Sequence, residues 1–417
     1  MKTSLPQMTQ KRASIFIYEA MDREGGIQSI VYRELFCAHV QCRPAFVISR
    51  PFKNRANYPN VVRLEFGIKP RALAENIVRR LEGAGWVIDL IALSPESIAT
   101  AKLLWDSLAK HNKVHGARGC VTILHPRDFM RETEQKHVHL MNKLAAHAIG
   151  LRNLVFMNEQ CRQTHSAFFS RDLSANAIVP VPMDRREARW SAQQELGPLR
   201  IVAVGRIVDF KAYNFALPRI LTDLERKGYK IACDIFGYGA EEPKLVRTIL
   251  DAEAGHLVSF KGPIALEDFD SIVSNYNLFI GMGTAAVQAA QLGVPTILAI
   301  VDDPDGTHGF IQDAPFGNLG EQDSRVLRQD LGAMIEAYLQ AGPVERQGLS
   351  DAGIAYANRY VADNYVEQLT ADAVARTGMS SVVAAAYCRF YIWMARDNWL
   401  RPLVRSLRQL ARWGQQS

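Results

Sequence analysis

Short apolar runs recur along the chain, each followed by a turn signal and then by a stretch with helical spacing. The first is Ala13–Tyr18 (ASIFIY), which leads into a loop, Glu19–Gly26, that closes on paired glycines. Ile27–Ala38 then reads as a helix. Further runs at Pro44–Ile48, Trp86–Leu93, Cys120–Leu124 and Leu154–Met157 read as strands, and Ser97–His111 and Phe129–Ala146 carry helical spacing. Runs of about four to eight apolar residues bounded by turn formers suit strands buried on both faces, and their alternation with helices predicts parallel sheets.

Ile178–Pro182 (IVPVP) precedes a charged stretch from Asp184 to Gly197, a boundary signal. The alternation then restarts. Leu199–Val204, Lys230–Phe236 and Leu257–Phe260 read as strands, with helices over about Phe215–Lys227, Glu242–Glu253 and Leu266–Asn275. The next unit, Leu278–Ile300 (LFIGMGTAAVQAAQLGVPTILAI), is strand, glycine turn, small-residue helix, Gly293-Val294-Pro295 stop, strand. Such a turn puts backbone N–H groups and the positive end of a helix dipole at the carboxyl edge of a parallel sheet, where an anion can sit. Two alternating sets predict two doubly wound α/β domains facing one another across a cleft. The expected division is a polar tail over 1–12, a first domain over 13–184, a second over 185–375, and basic amphipathic helices over 376–417.

Composition changes this picture little. The chain has 417 residues, 48% hydrophobic and 22% charged, with a net charge of +6. That length suits two cores, and the mild charge fits an anionic small molecule or an anionic membrane surface as well as it fits nucleic acid, so it decides little alone; no nucleic-acid partner is expected. The cysteines, Cys37, Cys42, Cys120, Cys161, Cys233 and Cys388, include no Cys-x-x-Cys pair and read as buried reduced thiols. No signal-peptide core is evident, and no run reaches ~18 apolar residues. A reducing cytoplasm is the expected location. From Tyr387 onward Arg389, Arg396, Arg401, Arg405, Arg408 and Arg412 interleave with Trp393, Leu400, Leu403, Leu407, Leu410 and Trp413. This pattern suits either a helix on an anionic membrane surface, giving peripheral association, or one packed on the first domain.

Five motifs of the second half occur in a telling order: Val204-Gly205-Arg206, Lys211, the Gly237-Tyr238-Gly239-Ala240-Glu241 turn, the Val258–Gly262 strand, and the Leu278–Ile300 unit. Their order resembles the donor domain of the retaining nucleotide-sugar glycosyltransferases with a GT-B fold, over roughly residues 199–300. The first half resembles the family more loosely, through Gly25-Gly26 and the strand that ends at His125. The resemblance implies a nucleotide-sugar donor as co-substrate with no further cofactor and no metal, a saccharide or lipid-linked acceptor held by the first domain, and transfer with retention.

The residues carry their own chemistry. Negative charge builds on the β-phosphate as a sugar leaves a nucleoside diphosphate, so positive charge is needed there. Arg206 offers a planar fork and Lys211 a point charge on one loop, where both can reach a pyrophosphate; the family uses an Arg and a Lys at these positions. Gly25 and Gly26 allow close backbone approach, as do Gly205 and Gly237. The amides of Gly283, Thr284 and Ala285 are expected to face the phosphates, and Gln288 the ribose. His125 matches a family histidine that touches the transferred sugar. Glu19, Asp22, Asn158, Glu159 and Arg162 are acceptor-side candidates. Asp302, Asp303 and Asp305 read as turn formers rather than metal ligands, and His308 lies beside them.

One departure stands out. Where the family has two glutamates separated by seven residues, this chain has Ile280 and Gln288. Glutamine still hydrogen-bonds a ribose, whereas isoleucine cannot replace a carboxylate. Either main-chain groups around Gly281–Gly283 read the sugar, or the donor is unusual, or activity is lost. The alternatives to a transferase are a sugar-nucleotide epimerase and a catalytically silent sugar-nucleotide-binding protein.

Overall fold

The computed structural model describes residues 11–21, 26–50, 58–130, 136–190, 198–373 and 383–389. Their contacts divide the chain into two compact units: 1–157, 161–179 and 364–417 form the first, and 158–160 with 180–363 the second.

The first unit holds a six-stranded sheet of β1 (Arg12–Ile17), β2 (Ala45–Ser49), β3 (Val61–Glu65), β4 (Trp86–Ala92), β5 (Val114–Ile123) and β6 (Leu154–Phe156), in the order β3-β2-β1-β4-β5-β6. Every pairing is parallel. The connections carry α1 (Gly26–Val40), α2 (Pro70–Arg80), α3 (Ser97–Leu108), α4 (Lys136–Ile149) and α5 (Glu159–Phe169). β2 and β4 are buried along their whole length, as sheets covered by helices on both faces require. The edge strand β3 (VVRLE) buries only Leu64 and lacks an apolar run, so the sequence pattern passes over it. α2, also missed, starts on Pro70, whose fixed φ and absent N–H cost nothing at a first helical position.

The second unit holds β7 (Leu199–Val204), β8 (Ile231–Phe236), β9 (Val258–Gly262), β10 (Leu278–Gly281), β11 (Thr296–Ala299), β12 (Gly306–Phe310) and β13 (Gln329–Asp330), ordered β13-β12-β11-β10-β7-β8-β9. The five strands β11-β10-β7-β8-β9 are parallel, and β12 and β13 add an antiparallel edge. Its helices are α6 (Tyr213–Arg226), α7 (Glu242–Asp251), α8 (Phe269–Val273), α9 (Thr284–Gln291), α10 (Leu331–Gln340) and α11 (Pro343–Ala357). One core runs beneath the sheet through Ile201, Tyr213, Leu217, Ile235, Ile280 and Ile297.

The chain then rejoins the first unit through α12 (Tyr365–Thr370), earlier than the expected boundary at 375. A buried carboxylate accounts for the attachment. Asp89, at the centre of β4, accepts from Arg12 Nη2 at 2.6 Å, Arg118 Nη2 at 2.6 Å and Thr370 Oγ1 at 3.1 Å. Glu367, one turn earlier on α12, accepts from Arg43 Nη1 at 2.6 Å and Arg12 Nη1 at 3.1 Å. Isolated, so buried a carboxylate would be costly; with two guanidinium partners and a hydroxyl it is satisfied. Residues 383–389 are helical, with Ala384 and Cys388 packed on Ala99, Leu103 and Ala148. The arginine-rich stretch from 390 onward and the 1–10 tail lie outside the described residues. All six cysteines are free, but Cys42 is exposed at a positive φ just beyond α1 and Cys37 is half-buried, a correction to the expectation that all are buried.

Candidate functional site

In a doubly wound sheet the strand order reverses at one point, and the carboxyl ends on either side of that point open a crevice. In the second unit the reversal falls between β7 and β10. Phe279 pairs with Val202, so Gly281 at the end of β10 lies level with Val204 at the end of β7. The residues that follow these two strands are those of the Gly205–Lys211 loop and of the Gly281–Ala285 turn.

The glycines here serve close packing. A Cβ on Gly205 would overlap Lys211 Nζ, one on Gly237 would overlap the Gly205 carbonyl, and one on Gly239 would overlap the Ile207 carbonyl. The amides of Gly205 and Gly237 donate to Phe236 O at 3.0 Å and Gly262 O at 2.8 Å. What these two glycines provide is room for the loop and the lysine, not ligand-facing N–H groups.

Lys211 folds back so that its ammonium rests against Gly205. Burial, and then the neighbouring Arg206 charge, bring its pKa down to about 8. Arg206 is exposed and lies 5.8 Å from the Phe210 ring centroid. Neither cation forms an ion pair with a carboxylate among the described residues, whereas Lys244, Arg219 and Arg328 around them do. Two cations that repel one another with no carboxylate between them make a site of unmet positive charge.

The α9 start completes it. Gly283, at φ 77°, ψ −159°, takes a backbone conformation that favours glycine, and α9 begins at Thr284. The amides of Thr284 and Ala285 have no partner among the described residues. Gly283 differs: its N–H donates to Leu319 O at 2.7 Å. This corrects the expectation that all three amides face a phosphate. Gln288, one turn into α9, is half-buried, while the side chain of Ile280 is wholly buried in the core. The position where the family carries its first glutamate therefore contributes packing here.

The first unit has its own reversal, between β1 and β4. Gly26 opens α1 there, and Gly25 and Asp22 lie outside the described residues. Glu19, beyond β1, accepts from Ser94 Oγ at 2.5 Å and Ser97 Oγ at 3.2 Å. His125, just past β5, is pinned by a tight turn in which Asp128 Oδ2 accepts the His125 N–H at 3.0 Å and His125 Nδ1 accepts from the Arg127 N–H at 3.0 Å. With Nδ1 accepting, the neutral ring carries its proton on Nε2.

Other sequence candidates have structural partners. Arg162 donates to the carbonyls of Ser174 and Asn176. Asn158 donates to Gly317 O at 2.9 Å and Glu321 Oε2 at 3.2 Å. His308 is buried with Nε2 at 2.8 Å from Glu321 O. Asp303 is bound by Arg328 and Asp305 by Arg219, so this acidic loop is charge-paired; the described residues contain no cluster of three metal-ligating side chains. Sequence reading missed the Pro315–Asp323 loop, which reaches the Gly281–Ala285 turn through Leu319. Its only sequence signal was the glycine pair Gly317 and Gly320 around Asn318, which resembles any surface turn.

No family model and no curated protein matches the chain. Solved structures do. HepE from Anabaena, in complex with UDP and glucose, superposes with a TM-score of 0.59 at 12% identity, covering 86% of this chain and 98% of that one. Sucrose-phosphate synthase from Thermosynechococcus elongatus gives 0.58 at 15% identity, over 86% and 97%. TarM gives 0.57 at 11% identity, over 88% and 98%. The fold is GT-B. At these identities the likeness establishes the two doubly wound units and their order along the chain, with function to be argued from the site.

Proposed function

We propose that this chain is a glycosyltransferase that moves a sugar from a nucleoside-diphosphate donor to a saccharide or lipid-linked acceptor, with retention at the anomeric carbon. The observation that carries the reading is the pair Arg206 and Lys211, unpaired with any carboxylate among the described residues, beside the free amides of Thr284 and Ala285 at a strand-order reversal. In this reading the pyrophosphate lies on the α9 start, Arg206 grips it through two N–H groups, and Lys211 meets the oxygen that becomes more negative as the C–O bond to the sugar breaks. These groups provide the positive charge that a metal would otherwise supply. The acceptor hydroxyl forms the new bond to the anomeric carbon, and its proton passes to the departing diphosphate oxygen, so no separate base is needed.

Similar structures support the reading: one holds UDP and glucose, and another is a lipopolysaccharide outer core galactosyltransferase. The buried Ile280 favours main-chain recognition of the sugar, since no side chain at that position reaches the sheet edge. Thermal stabilisation across a panel of nucleotides and nucleotide sugars tests the reading, because only a bound ligand raises the unfolding temperature. A matched donor is expected to stabilise the protein and to be consumed when acceptors are added. No shift with any member would overturn the proposal. No described helix is long and apolar enough to cross a membrane; contact of the 390–417 stretch with anionic lipid is part of the proposal and is tested by vesicle sedimentation before and after its truncation.

A further inference from the structure

The Pro315–Asp323 loop is held from every side. Tyr356 Oη donates to Pro315 O at 3.0 Å, and the Gly317 N–H donates to Tyr360 Oη at 2.9 Å. Asn318 bonds both to the Gly320 N–H, at 2.8 Å, and to Glu321 O, at 3.0 Å. At the centre lies Glu321, 7% exposed, whose Oε2 accepts the Leu319 N–H at 2.7 Å and Asn158 Nδ2 at 3.2 Å. The opposite face of the same peptide stretch meets the donor turn. Leu319 O takes the Gly283 N–H, and a Cβ on Gly320 would sit 2.7 Å from Met282 Cβ and 2.6 Å from Ala299 O. One residue, Leu319, thus has its N–H on a buried carboxylate and its C=O on the residue that caps α9.

We propose that Glu321 is a positioning residue for the donor turn, fixing Leu319 so that its carbonyl holds Gly283 and presets the start of α9. Burying a carboxylate with no cation on it is expensive, and such a group is retained where it orders something. The contact itself is independent of the functional reading; the link to donor binding rests on it. Around Glu321 the titratable neighbours are Asp323, which is paired with Arg325, the phenols of Tyr356 and Tyr360, and His308 on its carbonyl. Burial pushes the Glu321 carboxyl up to about 7, against the lowering effect of the Leu319 and Asn158 hydrogen bonds. Folding or loop closure therefore favours the protonated form, and the loop opens more readily as pH rises through that value.

Amide hydrogen exchange at Gly283 in the full chain tests the assignment without a ligand. Glu321→Ala is expected to speed exchange there tenfold or more, while Glu321→Gln, which keeps an acceptor for the Leu319 N–H, stays within about threefold. After correction for intrinsic rates, wild-type protection at Gly283 is expected to fall from pH 6 to pH 8 and to stay flat in Glu321→Gln, a readout that survives if the alanine variant does not fold. Equal Gly283 protection in all three proteins at both pH values would overturn the proposal. UDP-glucose binding, whose diphosphate diester does not titrate in this range, then separates the two ideas. Weaker binding in Glu321→Ala supports the link to the donor turn. Changed exchange with unchanged binding would sever that link, and changed exchange with no nucleotide sugar bound by wild type would sink the functional reading alone.

Discussion

The two units place opposite charges at the same topological feature. At the strand-order reversal of the first, the residue beyond β1 is Glu19, a carboxylate held by the hydroxyls of Ser94 and Ser97. At the reversal of the second, the loop beyond β7 carries Arg206 and Lys211, with no carboxylate on either among the described residues, and the facing helix starts with two open amides. Topology supplies a crevice in both cases; the side chains decide what can lie in it. A carboxylate repels an anion and accepts from hydroxyls, whereas two cations attract one; under the proposed function the second crevice takes the diphosphate.

The comparison breaks first if the cations prove idle. Charge-assisted hydrogen bonds contribute about 1.5–3 kcal/mol each, so replacing both Arg206 and Lys211 by alanine is expected to weaken donor binding by about a hundredfold or more, measured by calorimetry. Asp89→Asn probes the first unit from another side. It leaves the part-exposed Arg118 without its anion and Arg12 with Glu367 alone, and is expected to cost about 1.5–3 kcal/mol in chemical denaturation, while donor binding to the refolded protein stays unchanged. The pH dependence of binding sharpens the claim further. With a folded pKa near 8, Lys211 loses its charge as pH rises through that value. Donor affinity is therefore expected to hold below pH 8 and to fall by up to tenfold per unit above it, and Lys211→Met should remove the dependence. By the same depressed pKa, the lysine weighs on folding at neutral pH and is relieved as pH rises above 8. The smallest effect belongs to Glu19→Gln, expected to alter donor affinity by less than about twofold and so to show that the two crevices are chemically separate.

The sequence made some of this legible and hid the rest for physical reasons. Strands such as β4 and β7 are buried on both faces and stand out as apolar runs. β3 and β13 are edge strands with few buried positions, and an alternation so short has no distinct signal. β5 starts at Val114, well before the apolar run at Cys120, because its first half (VHGAR) pairs along the sheet without being buried. At the site, the glycine turn and the start of α9 were readable from spacing. The capture of the Gly283 amide by Leu319 was not, since it depends on a loop thirty-odd residues further along whose fold is set by long-range bonds to Asn158, Tyr356 and Tyr360. Ile280 was visible as a departure; its burial explains why an apolar residue is stable there.

The most direct measurement is the dissociation constant of a stabilising nucleotide sugar, and of its nucleoside without phosphates, for wild type and for the Arg206→Ala, Lys211→Ala double variant. The expected result is that wild type binds the nucleotide sugar at least a hundredfold more tightly than the nucleoside, and that the double variant loses most of that difference. Equal affinity of wild type and double variant for the nucleotide sugar would contradict the assignment of the second unit's crevice to the diphosphate.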